Sequence, residues 1–223
     1  LIYPHCHISY SLARGCGDDL PFLQWLPVVY KVEDGYTEEE WYLTSLLSMA
    51  EMIKSGTTCF ADTNIFEEIS CVVKAVEESG IRGVLGKHIR DTTSEEQETA
   101  GSLKQVWRRE GMRSLSVKAA LEDYHRWSGT ANDRLRVRLA PAVWPICSTE
   151  TYRQVAEVSK KIGIGKLIHH TETQEWKALV LETYGKEPTV MLQDFGMLGP
   201  DTLLENAAWL SDEEISLIAR TDT

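Results

Sequence analysis

Nothing in these 223 residues approaches the ~18 to 20 consecutive apolar side chains that a membrane-spanning helix needs, so no membrane partner is expected. Basic side chains are few. Lys and Arg number 23 against 34 Asp and Glu, a formal net charge of −11. No Lys/Arg stripe with interleaved aromatics offsets that excess, which excludes a nucleic-acid partner from the expectation. Cysteine is sparse and scattered: Cys6, Cys16, Cys59, Cys71 and Cys147 are odd in number and form no CxxC. That is not a disulfide framework or a zinc ribbon, and it predicts free thiols in a reducing, cytoplasmic setting. Leu1-Ile2-Tyr3-Pro4-His5 lacks an initiator Met, a basic region and a long apolar stretch, so no secretory signal is expected there. What is present is core-forming. Hydrophobic residues are 43% of the chain and charged residues 26%, too apolar for disorder, and at a soft prior of ~150 residues per domain the length suits one large domain. The acidic balance favours a small neutral or cationic ligand.

Helical segments with caps alternate with short β-rich runs. Thr37-Glu38-Glu39-Glu40 has the form of a capping box and opens an apolar stripe at Leu43, Leu46, Leu47, Ala50 and Ile53, closing at Gly56. A second helical spacing, Ile69, Val72, Val73 and Val76, runs to Gly80. Residues 91–128 are polar and read as one or two helices. Ser148 caps a helix with Tyr152, Val155, Ala156 and Ile162 on one face, helical chain runs on to about Leu198, and Ser211-Asp212-Glu213-Glu214 opens a last helix. Strands are expected at Ile2, Thr57 to Asp62, Ile81 to Gly86, Leu135 to Ala140, Lys166 to His169 and Thr202 to Asn206. Six strands, each followed by helical chain and none joined by a hairpin, imply parallel βαβ units. The turn after the first strand is His5-Cys6-His7 rather than GxGxxG, which disfavours a doubly wound dinucleotide fold. The fold class expected is α/β, an incomplete TIM-type (β/α)8 barrel of about six βα units, residues 1–223 forming one barrel domain.

The chemistry lies at strand ends. On a strand, residues i and i+2 share a face, so His5 and His7 converge as two ligands of one divalent metal require. The alternative is an accidental pair. His169-His170-Thr171-Glu172-Thr173 closes the fifth strand: His169 is a candidate third imidazole, and Glu172, just past the strand, can move protons between an activated water and a substrate. Barrel active sites sit at the carboxyl ends of strands, where both runs fall. His170 is expected on the opposite face from His169. His88 and His125 read as structural or surface residues.

Three longer runs, Pro4 to Gly15, Asp18 to Leu26 and Glu51 to Asp62, resemble the amidohydrolase superfamily, in the branch of S-adenosylhomocysteine/methylthioadenosine deaminases and atrazine-type chlorohydrolases. The resemblance continues in order through Leu139-Ala140-Pro141, His169-x-x-Glu172-Thr173, Leu198-Gly199-Pro200-Asp201-Thr202-Leu203-Leu204 and Leu210 to Ile215. It implies a metal-dependent hydrolase of non-peptide C–N bonds that deaminates an aminated heterocycle of purine or nucleoside type. By resemblance His5, His7 and His169 hold one divalent metal, zinc or alternatively iron, and Glu172 relays the proton. Trp25 falls in a segment that encloses the substrate, with plain core packing as the alternative.

Two departures qualify that expectation. Where the family reads Leu-Leu-x-His, Leu203-Leu204-Glu205 is followed by Asn206, an amide that can hydrogen-bond a substrate but is neither acid nor base near neutral pH. The family's strand-8 aspartate falls beyond Thr223, so the resemblance implies a chain truncated at both ends. The alternative reading is therefore an inactive fragment or pseudoenzyme that keeps ligand or partner binding, and association into a homo-oligomer stays open.

Overall fold

The computed structural model describes residues 1–65, 69–91 and 115–223. Among the described residues six strands are present, β1 (Ile2–Cys6), β2 (Cys59–Ile65), β3 (Arg82–Ile89), β4 (Leu135–Pro141), β5 (Lys166–His170) and β6 (Thr202–Asn206), each where the periodicity predicts it to within a few residues. Among the described residues the α-helices longer than four residues are α1 (Phe22–Asp34), α2 (Glu38–Lys54), α3 (Ile69–Ser79), α4 (Val117–Trp127), α5 (Thr149–Ile162), α6 (Gln174–Tyr184), α7 (Pro188–Asp194) and α8 (Asp212–Thr221). Of the helical stretch expected over 91–128, α4 is the described part; residues 92–114 lie outside the described residues.

Among the described residues the chain divides into two compact units. One comprises 1–65, 69–87 and 122–137, the other 88–91, 115–121 and 138–223. In the first, β1, β2 and β3 pair in parallel in chain order, and β3 continues to β4 where Gly83 N–H donates to the Arg134 carbonyl at 3.0 Å. In the second, Ala142 N–H donates to the Ile89 carbonyl at 2.8 Å, and β4, β5 and β6 pair in parallel. The β1–β2 register slips between Tyr3 and Cys6, and the β2–β3 register slips after Asp62. Such irregularities re-aim side chains at strand ends.

The core of the first unit gathers Cys6, Ile8, Met49, Phe60, Val72, Val76, Leu85 and Leu135 around β2. Each such side chain contributes roughly 1.5–3 kcal/mol by leaving water. Gly83 sits against this core because a Cβ there would lie 3.0 Å from the Phe60 ring.

Helix α2 corrects the sequence reading. Both halves of its Thr37/Glu40 capping box are formed, yet Leu43, Leu47 and Ile53 of the expected stripe are 46, 41 and 45% exposed. The buried face is Thr44, Ser45, Ser48, Met49 and Met52. The cause is the 3-10 segment Ile8–Ala13 beneath it, whose backbone groups lack a strand or α-helix to bond. Thr44 Oγ1 donates to the Ser9 carbonyl at 3.0 Å and Ser48 Oγ to the Ile8 carbonyl at 2.8 Å, while Leu12 N–H donates to Thr44 Oγ1 at 3.3 Å. A buried carbonyl without a partner costs about 1–3 kcal/mol, comparable to what a leucine gains by burial, and the inward hydroxyls satisfy several such backbone groups at once.

Candidate metal centre

In the first unit, β1 ends by splitting its side chains between two faces. Cys6 is buried in the core, its Sγ donating to the Ala61 carbonyl at 3.2 Å, which leaves His5 and His7 on the other face, half-buried, with ring centroids 5.0 Å apart at an interplanar angle of 84°. His7 lies one residue past the strand but keeps extended dihedrals, φ −126° and ψ 94°, so the strand alternation still carries it to the side of His5. The next residue is anchored by Asp62 at the end of β2: Ile8 N–H donates to Asp62 Oδ2 at 3.0 Å, and Asp62 Oδ1 lies 3.9 Å from His7 Nδ1. Asp62 is 1% exposed. Sequence reading assigned it no role, although a lone acid closing the apolar run Cys59-Phe60-Ala61 marks it.

An aromatic series leads away from His7. Its ring centroid is 5.1 Å from that of Tyr10, Tyr10 is 5.6 Å from Trp25 in an edge-to-face arrangement, and Trp25 is 6.2 Å from Phe22. Trp25 stands on α1 and is half-buried, two rings removed from the histidine pair. A half-buried indole both packs and presents a face. Ser9 Oγ donates to the buried Glu33 carboxylate at 2.5 Å, which ties α1 to the chain just after His7.

In the second unit, β5 carries His169 half-buried and His170 fully buried, on opposite faces as alternation predicts. His170 Nε2 is 2.9 Å from Thr189 Oγ1, and Thr189 Oγ1 donates to Glu214 Oε1 at 2.8 Å. With the threonine proton committed to the carboxylate, the imidazole must be the donor, so His170 is the Nε2–H tautomer. Burial lowers its pKa to about 4, against the opposing pull of Glu214, and keeps it neutral. Thr171 follows in the left-handed region at φ 43°, uncommon for a β-branched residue, and turns the chain so that Glu172 sits half-buried between it and Thr173, whose side chain caps α6 by accepting from Trp176 N–H at 3.2 Å.

On β6, Glu205 pairs in register with His169 and is 2% exposed, while Asn206 pairs with His170. Asn206 is exposed, at φ 68°, a conformation that Asn tolerates better than most residues. Ala207 N–H returns to the His170 carbonyl at 2.8 Å. His88 is buried at the end of β3, and His125 is exposed at the end of α4 against Tyr124.

Fold and donors define a class: about six βα units of a TIM-type barrel, with imidazoles at the carboxyl ends of its strands. The chain belongs to the Amidohydrolase family, whose sequence model matches residues 1–222. It is 36% identical over 215 residues to a 5-methylthioadenosine/S-adenosylhomocysteine deaminase 2 of Archaeoglobus fulgidus, covering 96% of this chain and 48% of that protein. A 5'-deoxyadenosine deaminase of Methanosarcina mazei is 35% identical over 219 residues, 98% of this chain and 47% of that one. Among solved structures, a zinc-bound adenosine deaminase from Xanthomonas campestris superposes with TM-score 0.82 at 23% identity, covering 100% of this chain and 47% of that one. An atrazine chlorohydrolase from Arthrobacter aurescens complexed with zinc superposes with TM-score 0.80 at 17% identity, covering 99% and 51%. These superpositions establish the fold. The chain spans about half the length of the curated relatives it matches.

The family implies a divalent metal, and the donor chemistry of β1 suits one. Two imidazoles on one face, 5.0 Å apart and half-buried, offer the nitrogen donors that a borderline ion such as zinc takes. Among the described residues no helix is long and apolar enough to cross a membrane, and none of the five cysteines is in a disulfide.

Proposed function

We propose that this chain carries the metal-binding and proton-transfer residues of a hydrolase that deaminates an aminated heterocycle of adenosine type. The observation that supports it most is the His5/His7 pair, two imidazoles presented side by side from β1. His5, His7 and His169 hold the ion, zinc in this reading and iron as the alternative, and His169 contributes from β5. When bound, a divalent ion supplies Lewis-acid activation of water. Glu172, in the turn after β5, accepts a proton from the attacking water and returns it to the departing nitrogen. A C–O bond forms at the ring carbon, the C–N bond breaks, and ammonia leaves. Trp25 lines the approach for a planar ring, and Asn206 contributes an amide donor and acceptor to it. A reducing compartment, the cytoplasm, fits five cysteines that form no disulfide.

Metal analysis of the purified chain, with ammonia release measured on adenosine, 5'-deoxyadenosine and methylthioadenosine, tests this reading. About one equivalent of metal and release of ammonia are expected; a folded chain with neither overturns it. The residue at 206 favours one other reading. An amide in place of an acid/base group is compatible with a chain that binds metal and heterocycle without turning the latter over, and metal uptake with ligand binding but no ammonia would select that outcome.

A further inference from the structure

Glu214 opens α8 as the N3 residue of a capping box, accepting from Ser211 N–H at 3.0 Å through Oε2. That alone would explain a glutamate at this position, and an exposed one would suffice. This one is 1% exposed and has further partners that a helix cap does not require. Oε1 accepts from Thr189 N–H at 3.1 Å and from Thr189 Oγ1 at 2.8 Å. Oε2 also accepts from Lys177 Nζ at 2.7 Å. Lys177 is further bound to the Trp209 carbonyl at 3.0 Å and to Glu187 at 2.9 Å.

The two arms of this carboxylate reach the two ends of one segment. Through Thr189 Oγ1 it holds His170, the last residue of β5. Through Lys177 it holds the first turn of α6. Between them lie the left-handed Thr171, then Glu172, then the cap residue Thr173. A loop with a β-branched residue at positive φ relaxes unless both of its ends are fixed. The ends are fixed here by one buried group on a different helix. His169 precedes the clamped residue directly, so its backbone shares the constraint.

We propose that Glu214, acting through Thr189 and Lys177, is a positioning residue that holds the segment from His169 to Glu172 in the geometry its chemistry needs. The inference rests on the roles given above to His169 and Glu172. It adds that the end of β5 is set from outside, by a Glu214–Thr189–His170 relay on one side and a Glu214–Lys177 pair on the other. Groups hydrogen-bonded directly to a metal ligand change metal affinity by about 10- to 100-fold when removed, and a clamp one residue removed from the ligand is expected at the lower end of that range.

The test uses Thr189→Val, which removes the relay hydroxyl while keeping shape and the Thr189 N–H bond to Glu214, beside Thr189→Ser, which keeps the hydroxyl. Three quantities are read on the full chain: the His170 imidazole Nε2–H signal by 15N NMR, amide hydrogen exchange at residues 171–173, and the Co2+ dissociation constant from the visible spectrum. In Thr189→Val the Nε2–H signal is expected to shift or vanish, exchange to quicken, and Co2+ affinity to fall about tenfold, with Thr189→Ser close to wild type in all three. If the imidazole signal changes while exchange and Co2+ affinity stay within twofold of wild type, Glu214 is a helix cap and core ion pair and the proposal is overturned. A wild-type chain that takes up no Co2+ overturns the metal reading instead; the exchange rates at 171–173 then decide the clamp by themselves.

Discussion

Ile8 donates its backbone N–H to Asp62 across the ends of two neighbouring strands, at 3.0 Å and wholly out of solvent. Asp62→Ala leaves that N–H buried without its acceptor and is expected to cost about 1–3 kcal/mol. The same change frees the residue after His7, so Co2+ affinity should drop by about tenfold. Asp62→Asn keeps an acceptor oxygen and should lie between. Urea unfolding and Co2+ titration of the two variants check this; an alanine variant as stable as wild type would refute the anchor.

The two faces of α2 should respond oppositely to truncation. Met49 is fully buried against the Phe60 core, and Met49→Ala is expected to cost about 2–5 kcal/mol. Leu47, though it belongs to the helix's most regular apolar stripe, is 41% exposed, and Leu47→Ala should stay within about 0.5–1 kcal/mol. Thermal melts of the pair decide whether the hydroxyl face is inward.

Acid should unfold the protein partly through Glu214. Burial alone would raise its pKa, but Lys177, Ser211 and Thr189 outweigh burial and hold it at about 2, below an ordinary value of 4.5. A carboxylate whose folded pKa is depressed adds stability above its unfolded pKa, and that stability is lost as pH falls from about 4.5 towards 2. The contribution is of order 1–3 kcal/mol. Plotting the urea midpoint against pH for wild type and Glu214→Gln should show a flatter slope for the variant in that window; parallel curves would contradict the assignment.

Glu172→Gln separates proton transfer from metal binding. The amide keeps the shape of the carboxylate but can neither take nor return a proton at pH 7. Ammonia release is expected to fall about 10²- to 10⁴-fold, with metal content unchanged. Loss of metal in this variant would make Glu172 a ligand rather than a base.

Much of this structure is legible in the sequence where local signals and burial agree. All six strands, the Thr37 and Ser211 capping boxes and the Ser148 cap of α5 stand where spacing and cap chemistry place them. The opposite faces of His169 and His170 follow from alternation alone. Legibility ends where a side chain answers to something distant in sequence. The inward turn of Thr44 and Ser48 depends on carbonyls 35 to 40 residues earlier, and no periodicity within α2 records that demand. Helix α1 contains Pro27 in its interior, a residue that normally argues against a helix. Asp62 and Glu214 were visible as residues, the one closing a strand and the other filling a capping box, but their partners across the sheet and across helices were not.

The 3-10 segment behind His7 has a consequence for how this protein tolerates change. Because its carbonyls are satisfied by hydroxyls of α2 and by Tyr36, which donates to the Ser9 carbonyl at 3.1 Å, the information that shapes this loop is stored largely outside it. Exchanging an inward hydroxyl of α2 for a methyl group is therefore expected to disturb the loop from some forty residues away. The placing of the histidine pair therefore draws on a helix that carries neither histidine, and it gives serine and threonine a task at positions where a helix of this kind would ordinarily take leucine.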